Sequence, residues 1–400
     1  MSKSSIAEKW RKLSGEDNWE NLLDPLDIDL RRYILHYGER AQAAYDTFNF
    51  EPRSKYAGSS IYAMKYLFAN AGLEKGNPYK YDVVKYLYAT SKLPVPGAFI
   101  IKSLSREVWS KESNFMGYIA VATDEGKAVL GRRDILVAWR GSIQALEWVE
   151  DFKFELVSGA ALFGEAANVK LHSGWLSIYS SDDVKSKFNK SSARDQVLDE
   201  IKQLTKKYKD EEISITLCGH SLGAALAVLS AVDIAVNVFN TPEGQPNNRC
   251  LVTVFAFGCP RVGDANFFKV FESLENLRVL KIRNALDIVT LYPFVGYSDV
   301  GNELLMDTQR SNYLKEIFEL AKVHDMESAY LHGIAGTHGL NGDFRLEVRR
   351  SIALANKFTE YVKDEYLIPP RWWNLKNKGM IQNDDGSWSL DYHDRYDYGD

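Results

Sequence analysis

Between Ile213 and Phe239 a β-branched, largely apolar octet, ISITLCGH, passes through Gly219-His220-Ser221-Leu222-Gly223 directly into LGAALAVLSAVDIAVNVF. The first stretch has the composition of a buried strand. The second is apolar nearly all round, so it can persist in water only as a covered helix. A strand delivered into a buried helix across a turn flanked by two glycines commits the chain to a sheet with layers packed over it.

The rest of the chain repeats that alternation. GYIAVATD (117–124), DILVAWRG (134–141), CLVTVFAFG (250–258) and LRVLKIRN (277–284) read as strands. ARDQVLDEIKQLTKKYKD (193–210), with Val197, Ile201 and Leu204 on one face, and ANFFKVFES read as helices. Strands alternating with helices predict an α/β fold with a central, mainly parallel sheet and helices on both faces. Residues 1–90 read as a mostly helical N-terminal region. Leu30, Tyr33, Ile34, Tyr37, Ala41 and Ala44 form one stripe, and Asp27 or Asp29 caps its start. The segment 78–125 mixes short aromatic strands with turns. Residues 91–366 form the core. Residues 367–400 read as an irregular extension, which Trp372, Trp373 and Trp388 pin to the body. The three parts are expected to make a single domain of 400 residues.

Composition removes several function classes. With 45% hydrophobic and 26% charged residues the chain is neither disordered nor fibrous. A net charge of −5 gives no basic field for nucleic acid. Cys218, Cys250 and Cys259 are an odd set without metal-ligand spacing, and the first two fall in strand-like runs, as buried free thiols of a reducing compartment do. No calcium-type loop is present, so no metal or cofactor is expected. The N-terminal MSKSSIAEKWRKLSGEDNW lacks the apolar core of a secretory signal, and no stretch reaches the roughly 18 apolar residues of a membrane span. The expectation is a cytoplasmic protein.

The turn at Ser221 has the context of a nucleophile elbow: strand, G-x-S-x-G, helix. Such a turn lifts the serine hydroxyl above the sheet and aims the helix N-terminus at it, where an oxyanion would develop. The Leu222 amide is then one oxyanion donor. A serine nucleophile needs a base and a group to orient that base, in the chain order Ser, acid, His. Asp287 stands just past a later strand. Asp264 precedes a helix as a cap would, and Asp299 follows an aromatic loop. His324, His332, His338 and His393 lie downstream. Spacing does not choose among the first three; His324 leads and His332 is second.

Four separated motifs now stand in order. They are Arg140-Gly141-Ser142 with Trp148 and Asp151-Phe152, then Gly-His-Ser-Leu-Gly-Ala, then Pro260-Arg261-Val262-Gly263, then Arg283-Asn284-x-x-Asp287. Together they resemble the class 3 lipases of the α/β-hydrolase fold. LLDPLDIDLRRYILHYGERAQAAYDTFN and WWNLKNKGMIQNDDGSW resemble the plant class II phospholipases A1, and the likeness runs from about residue 10 to 390. The resemblance implies that Ser221, Asp287 and His324 form the catalytic triad. It implies that Ser142 and Leu222 supply the oxyanion-hole amides, and that Arg140 pairs with Asp151. Two departures stand out. Five residues, not four, separate His324 from Tyr330-Leu331, which leaves weight on His332. Thr290 stands where many relatives have proline.

SIQALEWVEDFKFELV (142–157) falls where fungal relatives carry a lid. Ile143, Leu146, Trp148, Val149 and Phe152 recur near helical spacing, as in a cover that turns its apolar face to an interface; a helix packed permanently on the core has the same pattern. The resemblance implies cleavage of the sn-1 ester of glycerophospholipids, with galactolipids as a second candidate substrate, at a membrane or micelle surface touched transiently. The other readings are a neutral-lipid lipase and a lipase-like signalling module without turnover. An intact Ser221, Asp287 and His324 argue against the last.

Overall fold

A computed structural model describes residues 5–391 except Ala98, Ser103, 105–112, 144–154, 317–319, Asn341 and Leu375. Nine of its strands matter here: β1 (Tyr81–Ala89), β2 (Asn114–Ala122), β3 (Arg133–Trp139), β4 (Leu156–Ser158), β5 (Lys170–His172), β6 (Ile213–His220), β7 (Leu251–Phe257), β8 (Leu277–Asn284) and β9 (Asn302–Met306). Seven form one sheet in the order β1-β2-β3-β6-β7-β8-β9, while β4 and β5 pair as a small antiparallel ribbon. β1, β2 and β3 are antiparallel neighbours; every pairing from β3 to β9 is parallel.

Side-chain alternation along these strands feeds two cores. Ile135, Val137, Trp139, Ile215, Leu217, Val252, Val254 and Val279 face helices Ala193–Lys207, Leu222–Val236 and Ala265–Glu272. Leu136, Ala138, Cys218, Phe255, Phe257, Leu280 and Ile282 face helix Ile28–Asp46 and the segment Met326–Ala335. The central strands β3, β6 and β7 are buried at every residue, so their sequence reads as continuous apolar runs.

Helix Ile28–Asp46 buries the whole stripe read from its sequence, and Asp27 caps it by accepting from the amides of Asp29 and Leu30. It is also pinned through polar groups. Asp134, fully buried in β3, accepts from Tyr37 at 2.9 Å, Tyr81 at 2.6 Å, Ser214 at 2.6 Å and Thr216 at 2.7 Å. A buried carboxylate persists only with such a complement of donors.

The N-terminal region is helical over Ile6–Leu13 and Ile28–Asp46, and Tyr81–Ala89, inside the segment 78–125 read as short aromatic strands, forms edge strand β1, whose burial is only partial. One expectation changes. The C-terminal extension is not wholly irregular: Met380–Gln382 pairs with Trp388–Leu390 in a ribbon. The tryptophans do pin it. Trp372 is buried, donates to the Ala353 carbonyl at 2.7 Å and packs its ring against Trp373 and Trp388. His393 lies outside the described residues.

Candidate active site

Ser221 sits between the end of β6 and the helix Leu222–Val236, with φ 58° and ψ −126°. A non-glycine residue pays for that conformation, and persists in it only where its surroundings hold it. Two close approaches do so here. A Cβ on Gly219 would lie 2.3 Å from the Gly223 carbonyl oxygen, and one on Gly223 would lie 2.4 Å from that of Trp139. Only glycine lets strand and helix pass this closely. The Ser221 amide donates to the Phe257 carbonyl at 2.9 Å, fixing the elbow to β7.

His324 and Asp287 come together across 37 residues of sequence. His324 Nδ1 lies 2.6 Å from Asp287 Oδ2, and both side chains are buried. The carboxylate can only accept, so Nδ1 donates and Nε2 is left as the basic nitrogen. Asp287 also accepts from the Tyr330 hydroxyl and, at 3.0 Å, from the Val289 amide. Burial and the neighbouring carboxylate hold the Tyr330 hydroxyl well above its ordinary pKa, so it stays a donor. Thr290 donates to the Asp287 carbonyl at 2.8 Å, bracing the turn without a proline ring.

Ser221 Oγ and His324 Nε2 are both buried, and among the described residues neither has a hydrogen-bond partner. They flank the same strand end. The His324 ring lies over Gly258, where a Cβ would stand 2.9 Å from its Cε1; Gly258 has φ +56° and directly follows the Phe257 carbonyl that binds Ser221. An unspent hydroxyl and an unspent imidazole nitrogen above one elbow are the parts of a base-activated nucleophile.

The rival residues are occupied elsewhere. Asp264 caps the helix Ala265–Glu272 through the amides of Asn266 and Phe267. Asp299 pairs with Arg261 at 3.1 Å and Lys281 at 2.5 Å. His332 bonds Ser311 at 2.7 Å and stacks on Phe344. His338 faces Glu347 at 3.0 Å. The fifth residue between His324 and Tyr330 has a structural counterpart: Met326–Leu331 is a π-helical turn, with the Tyr330 amide bonded to the Asp325 carbonyl at 3.1 Å. That wider turn still brings the Tyr330 hydroxyl to Asp287.

Ser142 is buried beside the elbow. A Cβ on the preceding Gly141 would meet the His220 carbonyl oxygen at 2.3 Å and the Tyr45 hydroxyl at 1.9 Å, which shows how closely this loop lies on the end of β6. The Leu222 amide opens the helix, where no earlier turn supplies it with a carbonyl. Arg140 is buried at the end of β3. Asp151, its expected partner, lies outside the described residues; among those described, the guanidinium donates to the carbonyls of Phe115 at 3.0 Å, Gly141 at 2.7 Å and Phe99 at 2.9 Å, stacked on Phe48. Burial draws its pKa down to about 10. Of the lid residues, Ile143 is half-buried against both cores; Leu146, Trp148, Val149 and Phe152 lie outside the described residues.

Four contributors to this geometry carried no role in the sequence reading: Tyr330, Tyr45, His220 and Gly258. Asn284 belongs with them, donating to the Val323 carbonyl at 2.8 Å and so tethering the residue before His324. A glycine closing an apolar strand was the one local signal that pointed to Gly258.

Residues 136–297 match the family described as lipase (class 3). Along nearly its whole length the chain resembles phospholipase A1-IIgamma of Arabidopsis thaliana, 56% identical over 97% of this chain and 94% of that one. Phospholipase A1-II 1 of Oryza sativa subsp. indica is 50% identical over 98% and 97%. Among solved structures, a lipase from Rhizopus microsporus var. chinensis is 19% identical, covering 70% of this chain and 76% of that chain with a TM-score of 0.43.

Proposed function

Since this chain belongs to the class 3 lipases, in the group of the plant phospholipases A1-II, we propose that it is a serine acylhydrolase that cleaves the sn-1 ester of glycerophospholipids. The observation that carries the reading is the His324–Asp287 contact of 2.6 Å, with Nε2 left free over the same elbow as the free Ser221 hydroxyl.

In this mechanism Ser221 Oγ attacks the acyl carbonyl as His324 Nε2 takes its proton. Asp287 holds the imidazole in the required tautomer and stabilises the cation that forms. The amides of Ser142 and Leu222 bind the tetrahedral oxyanion; losing one such donor raises the barrier by about 3 kcal/mol. His324 then protonates the glycerol oxygen, a lysophospholipid departs, and water activated by the same imidazole releases the fatty acid from Ser221. The lipid substrate follows from the family. Transient docking on a membrane or micelle is part of the proposal.

The catalytic unit is proposed to be the whole chain, because Tyr45 from the N-terminal helix meets the site at His220. We assign it to the cytoplasm. Its three cysteines are buried free thiols, as suits a reducing compartment, and no helix among the described residues is long and apolar enough to cross a membrane.

The test is a phosphatidylcholine with different acyl chains at its two positions, given to the wild type and to Ser221→Ala. Release of the sn-1 chain by the wild type alone is expected. Release only from acylglycerols would replace the phospholipase reading with a neutral-lipid lipase. Inertness toward every ester and toward a fluorophosphonate probe would mean a module without turnover.

A further inference from the structure

We propose that the loop from Leu286 to Tyr297 is the element that seats this protein on a phospholipid surface, with Phe294 and Val295 as its inserting tip. The proposal rests on the acylhydrolase reading and locates the contact that reading requires.

Within ten residues four large apolar side chains stand out into solvent: Leu286 at 44%, Ile288 at 41%, Phe294 at 55% and Val295 at 88% exposure. The pattern alternates at the acid itself. Leu286 and Ile288 face outward, while Asp287 and Val289 between and beyond them are buried, the carboxylate turned in to His324. An interface resting on these side chains therefore lies one residue from the catalytic acid. Four exposed large apolar side chains within ten residues are more than the singly scattered hydrophobics of an ordinary surface.

The loop is held out, not merely loose. At its feet the Thr290 hydroxyl binds the Asp287 carbonyl, the Arg261 amide binds the Tyr292 carbonyl at 2.8 Å, and the Ser298 amide binds the Gly263 carbonyl at 2.9 Å. The Arg261 guanidinium reaches the Pro293 carbonyl at 3.2 Å. The Tyr292 and Phe294 rings pack 4.3 Å apart, so the aromatic side of the tip is preorganised. Beyond the tip, a Cβ on Gly296 would lie 3.2 Å from Leu156 Cδ1, which sets the loop beside β4. In sequence, β4 begins at the last two residues of the stretch 142–157 read as a lid.

The electrostatics select the kind of surface. Arg261 and Lys281 both face Asp299, and Arg283 faces Glu303 at 3.5 Å. Each of these cations faces a carboxylate and one net positive charge remains among the five groups, so attraction to anionic headgroups is weak. Seating then comes from apolar and aromatic insertion among headgroups, which suits a zwitterionic surface.

The experiment uses the full chain and extruded phosphatidylcholine vesicles, read by flotation. Ser221→Ala should bind as the wild type does, keeping docking separate from turnover. Val295→Asp and the pair Phe294→Ser with Val295→Ser should each weaken vesicle binding about tenfold or more, since they remove apolar insertion. They should slow vesicle hydrolysis at low lipid in proportion, and leave turnover of a soluble short-chain ester within twofold. Wild-type binding should survive a rise from about 0.1 to about 0.5 M salt, because screening acts on charge and not on insertion. Variants that bind vesicles like the wild type would overturn the proposal. So would a concentration-dependent dimer that the same variants dissolve, which would make the patch a protein interface. A wild type that binds vesicles through this loop but hydrolyses no ester would remove the enzyme reading and leave the docking surface.

Discussion

His220 Nε2 lies 2.7 Å from the backbone carbonyl oxygen of His324, and its Nδ1 lies 2.9 Å from the Tyr45 hydroxyl. The carbonyl fixes Nε2 as donor, so Nδ1 accepts from tyrosine. Burial holds the His220 pKa well below its ordinary value, with the neighbouring His324 adding to the effect, so the ring stays neutral in this tautomer. The residue before the nucleophile is thereby tied to the residue proposed as base. The Tyr45 hydroxyl, pressed against Gly141, joins the loop of Ser142 to the same point. His220→Leu leaves the His324 carbonyl without its donor and should lower kcat about 10- to 100-fold, the scale of a slightly displaced catalytic group, with KM little changed. His220→Gln keeps a donor and should recover much of the loss. Steady-state kinetics on a soluble ester, beside a melting curve for each variant, separate displacement from unfolding.

That relationship also marks where sequence reading stops. β3, β6 and β7 are legible because a strand buried on both faces must be apolar at nearly every position, which a linear string records. The elbow is legible because Gly219 is forced by its approach to Gly223, four residues on, so the turn is written in one short string. His324 and His332 were not separable by spacing. What distinguishes them is which chain folds back to meet each: Asp287 for one and Ser311 for the other. Tyr45 and His220 are 175 residues apart. Arg140 shows the same limit differently. Among the described residues it donates to three carbonyl oxygens, which every residue carries, so no side-chain pattern could have revealed those contacts.

The strained backbone at Ser221 predicts a trade of stability for function. Its φ of 58° with ψ of −126° suits glycine and disfavours any Cβ. Ser221→Gly should be inactive yet more stable than the wild type by about 1 kcal/mol, within the usual cost of such a conformation. Ser221→Ala should be equally inactive without that gain, because alanine keeps the Cβ. Urea denaturation of the three proteins decides it; a glycine variant no more stable than alanine would mean that the elbow is unstrained.

Beneath the base segment lies a buried ionic cluster. Lys357 Nζ is 2.5 Å from Asp46 and 3.6 Å from Glu327, and Arg350 reaches Glu327 and, at 3.5 Å, Glu39. Three carboxylates thus share two cations, and burial pushes Asp46 up to about 6 against the pull of Lys357. Removing a cation should be severe: Lys357→Met is expected to cost about 3–5 kcal/mol, the usual penalty for a buried charge stripped of its partner. Asp46→Asn should behave in the opposite sense. A carboxyl whose folded pKa is raised disfavours folding once ionised, so that cost grows as pH rises from the unfolded value of 3.8 and is complete above about 6. The variant should therefore gain on the wild type through that window and show a constant difference on either side of it. Denaturation midpoints at pH 4 and pH 8 test both substitutions.

The two rival histidines should fail in different ways. His324→Ala should lose nearly all turnover while keeping its fold. His332 is buried, bonded to Ser311, and held by burial at a pKa of about 3. In the unfolded chain it protonates near the ordinary 6.5, so the unfolded state takes up the proton first and stability falls as pH drops from about 6.5 towards 3. The loss is about 1.4 kcal/mol per pH unit, or roughly 2 kcal/mol at pH 5. His332→Gln removes that titration. It should leave kcat within a few-fold at pH 7.5, lower the denaturation midpoint there, and flatten its decline between pH 6.5 and pH 5. A crippled kcat in the His332 variant with an intact fold would transfer the base from His324 to His332, against the Asp287 contact on which the triad is built.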